Sequence, residues 1–238
     1  MHEISCLLAM NIQGILFDLD DTLIPSEEIY IQGLRYAHAR LGEEKRLSWP
    51  AFLRYYRQAR ALVKSRLGEN PAARNRVLYF KELVELIFGS SHPALTLALF
   101  HAYNRAWRSI DATAVREIAA RLVRHYPLGI ITNQVTLMQL QKMARIDPQG
   151  KLFKVLVTAE EAGVEKPRIP IYRLACRRLG VPAARILLVG DSWQADVRGG
   201  LRAGMQVAFL CPGKPPSRMP RHTFQVSSLQ ALVTRILG

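Results

Sequence analysis

Cysteine is scarce in this chain. There are three, Cys6, Cys176 and Cys211, and none stands in a CxxC pair. An odd count without pairing argues against a disulfide framework and a zinc site, and predicts a reducing, cytoplasmic setting. Long hydrophobic runs are missing too. The apolar piece Ile4 to Met10 lacks a basic leader and is too short for a signal-peptide core. No stretch approaches the ~20 apolar residues of a membrane span, so no membrane partner is expected. The six histidines show no ligand spacing. Acidic residues are few: 19 Asp and Glu against 33 Lys and Arg leave a net charge of +14. Such an excess can serve nucleic acid, but the arginines are spread along the chain rather than gathered into one run. A positive field also attracts a phosphorylated substrate.

What is present suffices for a packed core. Of 238 residues, 49% are hydrophobic, enough for one domain or a domain plus an insert. The run from Ile12 to Phe17, ending on Asp18, reads as a buried strand. From Ser26 to Ser109 the apolar spacing is helical nearly throughout, and Gly42, Gly68, Pro71, Gly89 and Pro93 divide it into four or five helices. After Asp111, strands and helices alternate. Strands are predicted at 128–132, 153–158, 185–190, 205–210 and 224–226. Helices are predicted at 115–125, 137–144, 170–179, 195–203 and 228–236. Repeated β-α units imply an α/β fold, a Rossmann-like parallel sheet with helices on both faces. The expected organisation is an α/β core from 1–24 and 111–238, interrupted by an α-helical insert at 25–110.

In open parallel sheets, ligands sit at the carboxyl ends of the strands. The first strand delivers Asp18, Asp20, Asp21 and Thr22 there, and the second delivers Thr132 and Asn133. Lys166, before Pro167, lies in the loop after the third. The fourth brings Asp191 and Ser192, with Asp196 five residues past Asp191. Carboxylates gathered in this way repel one another and raise each other's pKa. A divalent cation relieves this, and oxygen donors without histidine or cysteine select magnesium. Lys166 adds a compact charge suited to a phosphoryl group.

"DLDDT" at 18–22, "TN" at 132–133, "KP" at 166–167 and "GDSWQAD" at 190–196 resemble, in order, the four motifs of the haloacid dehalogenase-like (HAD) hydrolase superfamily. The helical insert resembles the cap of its phosphoglycolate-phosphatase and β-phosphoglucomutase branch. The resemblance covers most of the chain and implies a magnesium-dependent phosphatase acting on a small phosphorylated metabolite. Asp18 would be the nucleophile that forms an aspartyl-phosphate. Asp20 would be the general acid/base. Magnesium would be held by Asp18, Asp191 and the backbone carbonyl of Asp20, with Asp196 an outer ligand or an orienter of Lys166. Thr132 and Lys166 would bind the phosphoryl group, with Asn133 beside them. Thr22 would brace the first loop.

Two departures from the family pattern, Gly199-Gly200 and Ala195, leave the core chemistry intact. Asp20 argues against a dehalogenase, which needs no leaving-group acid. A phosphomutase keeps both aspartates and is the enzymatic alternative, though Asp21 leans towards phosphatase. A non-catalytic or nucleic-acid-associated protein reusing the fold is the other. In the insert, Arg54, Arg57 and Arg60 read mainly as a basic helix surface. Arg74 and Arg76, at a loop-to-helix junction, are the candidates to touch substrate. Trp49, Trp107 and Trp193 read mainly as packing residues, with Trp193, just past the last motif's first aspartate, kept as the candidate for the pocket rim.

Overall fold

The computed structural model describes residues 11–213 and 218–238. Cys6 and the Ile4–Met10 piece lie outside them. The chain opens with β1 (Gly14–Phe17), whose four residues are all buried. The strand is buried on both faces: Ile15 and Phe17 join one core cluster, and Leu16 joins the other. This explains its continuous apolar run in place of an alternating one.

The helical segment follows. It contains α1 (Ser26–Leu41), α2 (Trp49–Leu67), α3 (Arg76–Phe88) and α4 (Pro93–Asn104). Short 3-10 turns at Pro71–Arg74 and Arg105–Ser109 complete it. Local chemistry sets the helix ends. The Ser48 side chain accepts a hydrogen bond from the Ala51 N–H at the start of α2, and Asn75 accepts from the Val77 N–H at the start of α3. Each satisfies an amide the helix cannot. Helix α3 ends at Gly89 with φ 74°, a left-handed position that glycine adopts without steric cost. Phe52, Tyr56, Tyr79, Phe80, Leu83 and Tyr103 fill the space between these helices.

The rest alternates. It runs α5 (Thr113–Leu122), β2 (Leu128–Thr132), α6 (Thr136–Ile146), β3 (Val155–Thr158), α7 (Ala159–Ala162), α8 (Ile169–Leu179) and β4 (Ile186–Gly190). A π-helical turn at Trp193–Arg198 leads into α9 (Gly199–Arg202), followed by β5 (Gln206–Leu210), β6 (Thr223–Val226) and α10 (Leu229–Leu237). The six strands form one parallel sheet in the order β3-β2-β1-β4-β5-β6. This is the expected Rossmann-like α/β architecture. The chain winds outward from β1 in both directions, so the crevice where the order reverses lies at β1 and its neighbours β2 and β4.

Two local differences from the sequence reading have physical causes. The four-residue α7 is too short for apolar periodicity to reveal. The helix expected at 195–203 starts as a π-helical turn, and Asp196 within it is buried and fixed from two sides. Its Oδ2 accepts from the Ser192 N–H at 3.0 Å and its Oδ1 from Lys166 Nζ at 2.7 Å. Holding that carboxylate inward accompanies the wider turn, a distortion common at functional sites.

Candidate active site

Strands β1, β2 and β4 bring their polar residues to one edge. Asp18 follows β1 directly, and its N–H donates to the Val189 carbonyl at 2.9 Å. Its carboxylate lies 2.8 Å from Lys166 Nζ, which also reaches Asp196 at 2.7 Å. Carboxylate oxygens of Asp18, Asp191 and Asp196 fall within 4.8 Å of one another. Burial pushes the Asp18 carboxyl up to about 7; Lys166 opposes this and Asp196 adds to it. Burial and then Asp196 also raise Asp191. Lys166 is nearly inaccessible; burial works against its charge, but Asp18 and Asp196 hold its pKa above the usual value. Three clustered carboxylates against one ammonium leave negative charge in excess. The donor set is all oxygen, so it suits a hard divalent cation.

Packing leaves no slack here. A Cβ on Gly190 would come within 2.2 Å of the Asp196 carboxyl carbon. Thr22 donates to Asp191 Oδ1 at 3.1 Å, which ties the first loop to the fourth strand as expected. Asp21 sits at φ 60° and accepts from the Ser26 N–H at 2.8 Å, turning the chain into α1.

Asp20 faces elsewhere. Its side chain lies outside the three-carboxylate cluster and pairs with Lys142 of α6. Gln139 Nε2 donates to Asp20 Oδ2 at 2.8 Å, and the Ser26 hydroxyl donates to Oδ1. Burial would raise Asp20, but Lys142, Ser26 and Gln139 outweigh it and hold the carboxyl below its ordinary value. Gln139 Nε2 also donates to the Thr132 hydroxyl oxygen at 2.7 Å. The Thr132 proton is thereby left to point elsewhere.

Asn133 clamps the backbone of Lys166. Its Oδ1 accepts from the Lys166 N–H at 2.6 Å and its Nδ2 donates to the Lys166 carbonyl at 2.9 Å. With both amide atoms so used, it positions the lysine. Arg74 is engaged too: it forms a two-pronged pair with Glu165, Nε at 2.7 Å and Nη2 at 2.6 Å. Arg76 has no carboxylate partner among the described residues. Its guanidinium stacks on Tyr30 and Tyr79, at 4.9 and 5.3 Å from the ring centres. The Tyr30 hydroxyl in turn lies 3.5 Å from Asp20. Trp193 packs edge-on against Phe209.

Sequence reasoning passed over Gln139 and Lys142. Both are wholly buried in α6, on the face that carries Met138, Met143 and Ile146. The available signal was two polar residues three apart on an apolar helical stripe. Long polar side chains rarely go fully inside without a partner.

This edge of the sheet can hold a cation beside one carboxylate, present an ammonium to an anion, and keep a second carboxylate ready for proton transfer. Residues 12–204 match the haloacid dehalogenase-like hydrolase family. The chain belongs to that family. Within it, the chain is a hydrolase of the phosphatase type. It is 32% identical over 207 residues to a ribulose-1,5-bisphosphate 5-phosphatase of Halopiger xanaduensis, covering 84% of this chain and 85% of that one. It is 30% identical over 225 residues to a glyceraldehyde 3-phosphate phosphatase of Methanopyrus kandleri, covering 92% of each. Its fold resembles the crystal structure of a 2-haloacid dehalogenase from Pseudomonas syringae, with a TM-score of 0.71 at 22% identity over 95% of this chain and 98% of that one.

Proposed function

We propose that this chain is a magnesium-dependent phosphatase that cleaves a small phosphorylated metabolite through an aspartyl-phosphate on Asp18. The observation that carries the reading is the division between two aspartates two residues apart. Asp18 joins Lys166 and the carboxylate cluster, whereas Asp20 joins Lys142, Gln139 and Ser26. Nucleophile and acid/base thus occupy separate electrostatic settings.

When bound by Asp18, Asp191 and the Asp20 backbone carbonyl, with Asp196 behind them, magnesium would screen the carboxylates and polarise a phosphoryl oxygen. Lys166 and the free proton of Thr132 would bind the other phosphoryl oxygens. The phosphoryl group brings negative charge beside Asp20, which raises its proton affinity. An Asp18 oxygen attacks phosphorus, the ester bond breaks, and the departing alkoxide takes the Asp20 proton. Asp20 then removes a proton from water, which attacks the phosphorus and frees Asp18 and inorganic phosphate.

The helical segment serves as a cap in this reading, with hinges at Leu23 to Ser26 and Ser109 to Thr113. Arg76, one tyrosine ring away from Asp20, is the cap residue we propose to face the leaving group. The relatives' names put glyceraldehyde 3-phosphate and ribulose-1,5-bisphosphate first in a substrate panel. The test is phosphate release from that panel with and without magnesium, for the wild type and Asp18→Asn. Magnesium-dependent release that Asp18→Asn abolishes is expected. Release unchanged by Asp18→Asn would sink the covalent route, and isomerised phosphoester without free phosphate would make the chain a mutase.

A further inference from the structure

An arginine-lined cleft lies behind the Asp20–Lys142 pair. It has a volume of about 640 Å³ and lies between α1, α4, the Arg105–Ser109 turn and the outer face of α6. It shares no lining residue with the Asp18 cluster. Arg40, Arg105, Arg108 and Arg145 line it, and no carboxylate does among the described residues. Arg40 is partly occupied, by Glu43 at 3.0 Å and Glu44 at 3.4 Å. Arg105 stacks on Tyr36 at 5.1 Å. Arg108 and Arg145 have no acidic partner within 4.0 Å among the described residues.

The walls also hold buried polar atoms without hydrogen bonds. These are both amide atoms of Asn104, the Trp107 indole nitrogen and the Gln141 carbonyl oxygen. Trp107 is 2% exposed, so its N–H has no general access to water. A buried donor without a partner is unfavourable unless a ligand takes the proton. Four guanidinium groups and two neutral donors, the Trp107 N–H and the Asn104 Nδ2, line one hollow against two amide oxygens, of Asn104 and Gln141, so donors predominate and the lining favours acceptor oxygens. The volume falls in the range of small-molecule sites, and several forked donors exceed what one phosphate group needs.

We infer that this cleft binds a small anion with two or more linked phosphates, at a site separate from the reaction centre. Trp107 joins the two: it carries Lys142 over its ring at 4.2 Å, and Lys142 pairs with Asp20. An occupant therefore adjoins the acid/base network from behind.

The experiment is calorimetric titration of the full chain with inorganic pyrophosphate in excess chelator. It needs neither magnesium nor turnover, so its outcome is independent of the phosphatase reading. Arg108 and Arg145 are exposed, so Arg108→Gln/Arg145→Gln leaves the packing intact. That double variant should bind pyrophosphate at least tenfold more weakly than wild type. Trp107→Phe, which keeps a ring and removes the N–H, should weaken binding severalfold, an effect a diffuse charged surface would not show. An isotherm unchanged by the double substitution overturns the site. So does inorganic phosphate competing as well as pyrophosphate, and so does a short DNA duplex binding more tightly through the same arginines.

Discussion

Lys142 has no exposed surface, and its carboxylate partner is Asp20. Burial lowers the lysine's pKa even against that partner, so the pair is mutually dependent. Removing one member of a buried pair leaves the other uncompensated, at a cost of about 3–5 kcal/mol. Asp20→Ala should therefore destabilise the fold by about that amount. Asp20→Ala/Lys142→Met should recover much of it, as a double-mutant cycle in urea would measure. Catalysis gives a different readout for the same residue. Asp20→Asn should lower kcat by about 10²–10⁴ on alkyl phosphates, which need a proton on the leaving oxygen, and far less on an activated aryl phosphate. Asp18 supplies a pH dependence. Burial pushes its carboxyl up to about 7, so below that pH a cation should have to displace a proton. Magnesium affinity should fall by up to about tenfold per pH unit below 7 and binding should release protons, which calorimetry in two buffers detects. Asp18, Asp20 and Asp191 were legible in the sequence because each lies just past an apolar strand, and Lys166 because it precedes Pro167 in the stretch after the third. Lys142 was not, because its meaning lies in a partner 122 residues away.

At the scale of elements, the strands were the most legible part. Their apolar runs and closing polar turns located all six, with Leu128–Thr132 matched residue for residue. The π-helical turn was not legible, since it accompanies an inward-facing Asp196 that local propensity does not register. The junction of that turn with α9 is closely packed. Gly199→Ala would bring a Cβ to 1.9 Å from the Tyr172 hydroxyl, so the variant should unfold at a markedly lower temperature by scanning calorimetry. The helical segment touches the core through pairs of unequal burial. Arg168–Glu69 is exposed and worth little, whereas Arg74–Glu165 is two-pronged and partly sheltered. If the segment closes as a cap, X-ray scattering should show a smaller radius of gyration with magnesium and a phosphate mimic than without. An unchanged profile would count against closure.

The whole molecule is strongly cationic, +14 across 238 residues. Its active site adds clustered carboxylates to that field, so the long-range attraction and the local repulsion oppose each other until a cation is bound. For an anionic substrate, kcat/KM should fall as ionic strength rises, most steeply for a bisphosphate. Among the described residues no helix is long and apolar enough to cross a membrane. The order of the sheet was only partly legible, since alternating strands and helices imply parallel pairing but do not say which strand lies innermost. That placement puts Asp18 at the crevice. The Arg74–Glu165 pair has one more effect at this scale. Glu165 precedes Lys166 in the chain, and Lys166 is itself pinned by Asn133. A swing of the helical segment that draws Arg74 away slackens one of the two tethers on the ammonium-bearing loop. If the segment closes as proposed, shut and open states would differ in how firmly that loop is moored, and an ester that draws the segment down would also tighten the grip on its own phosphate.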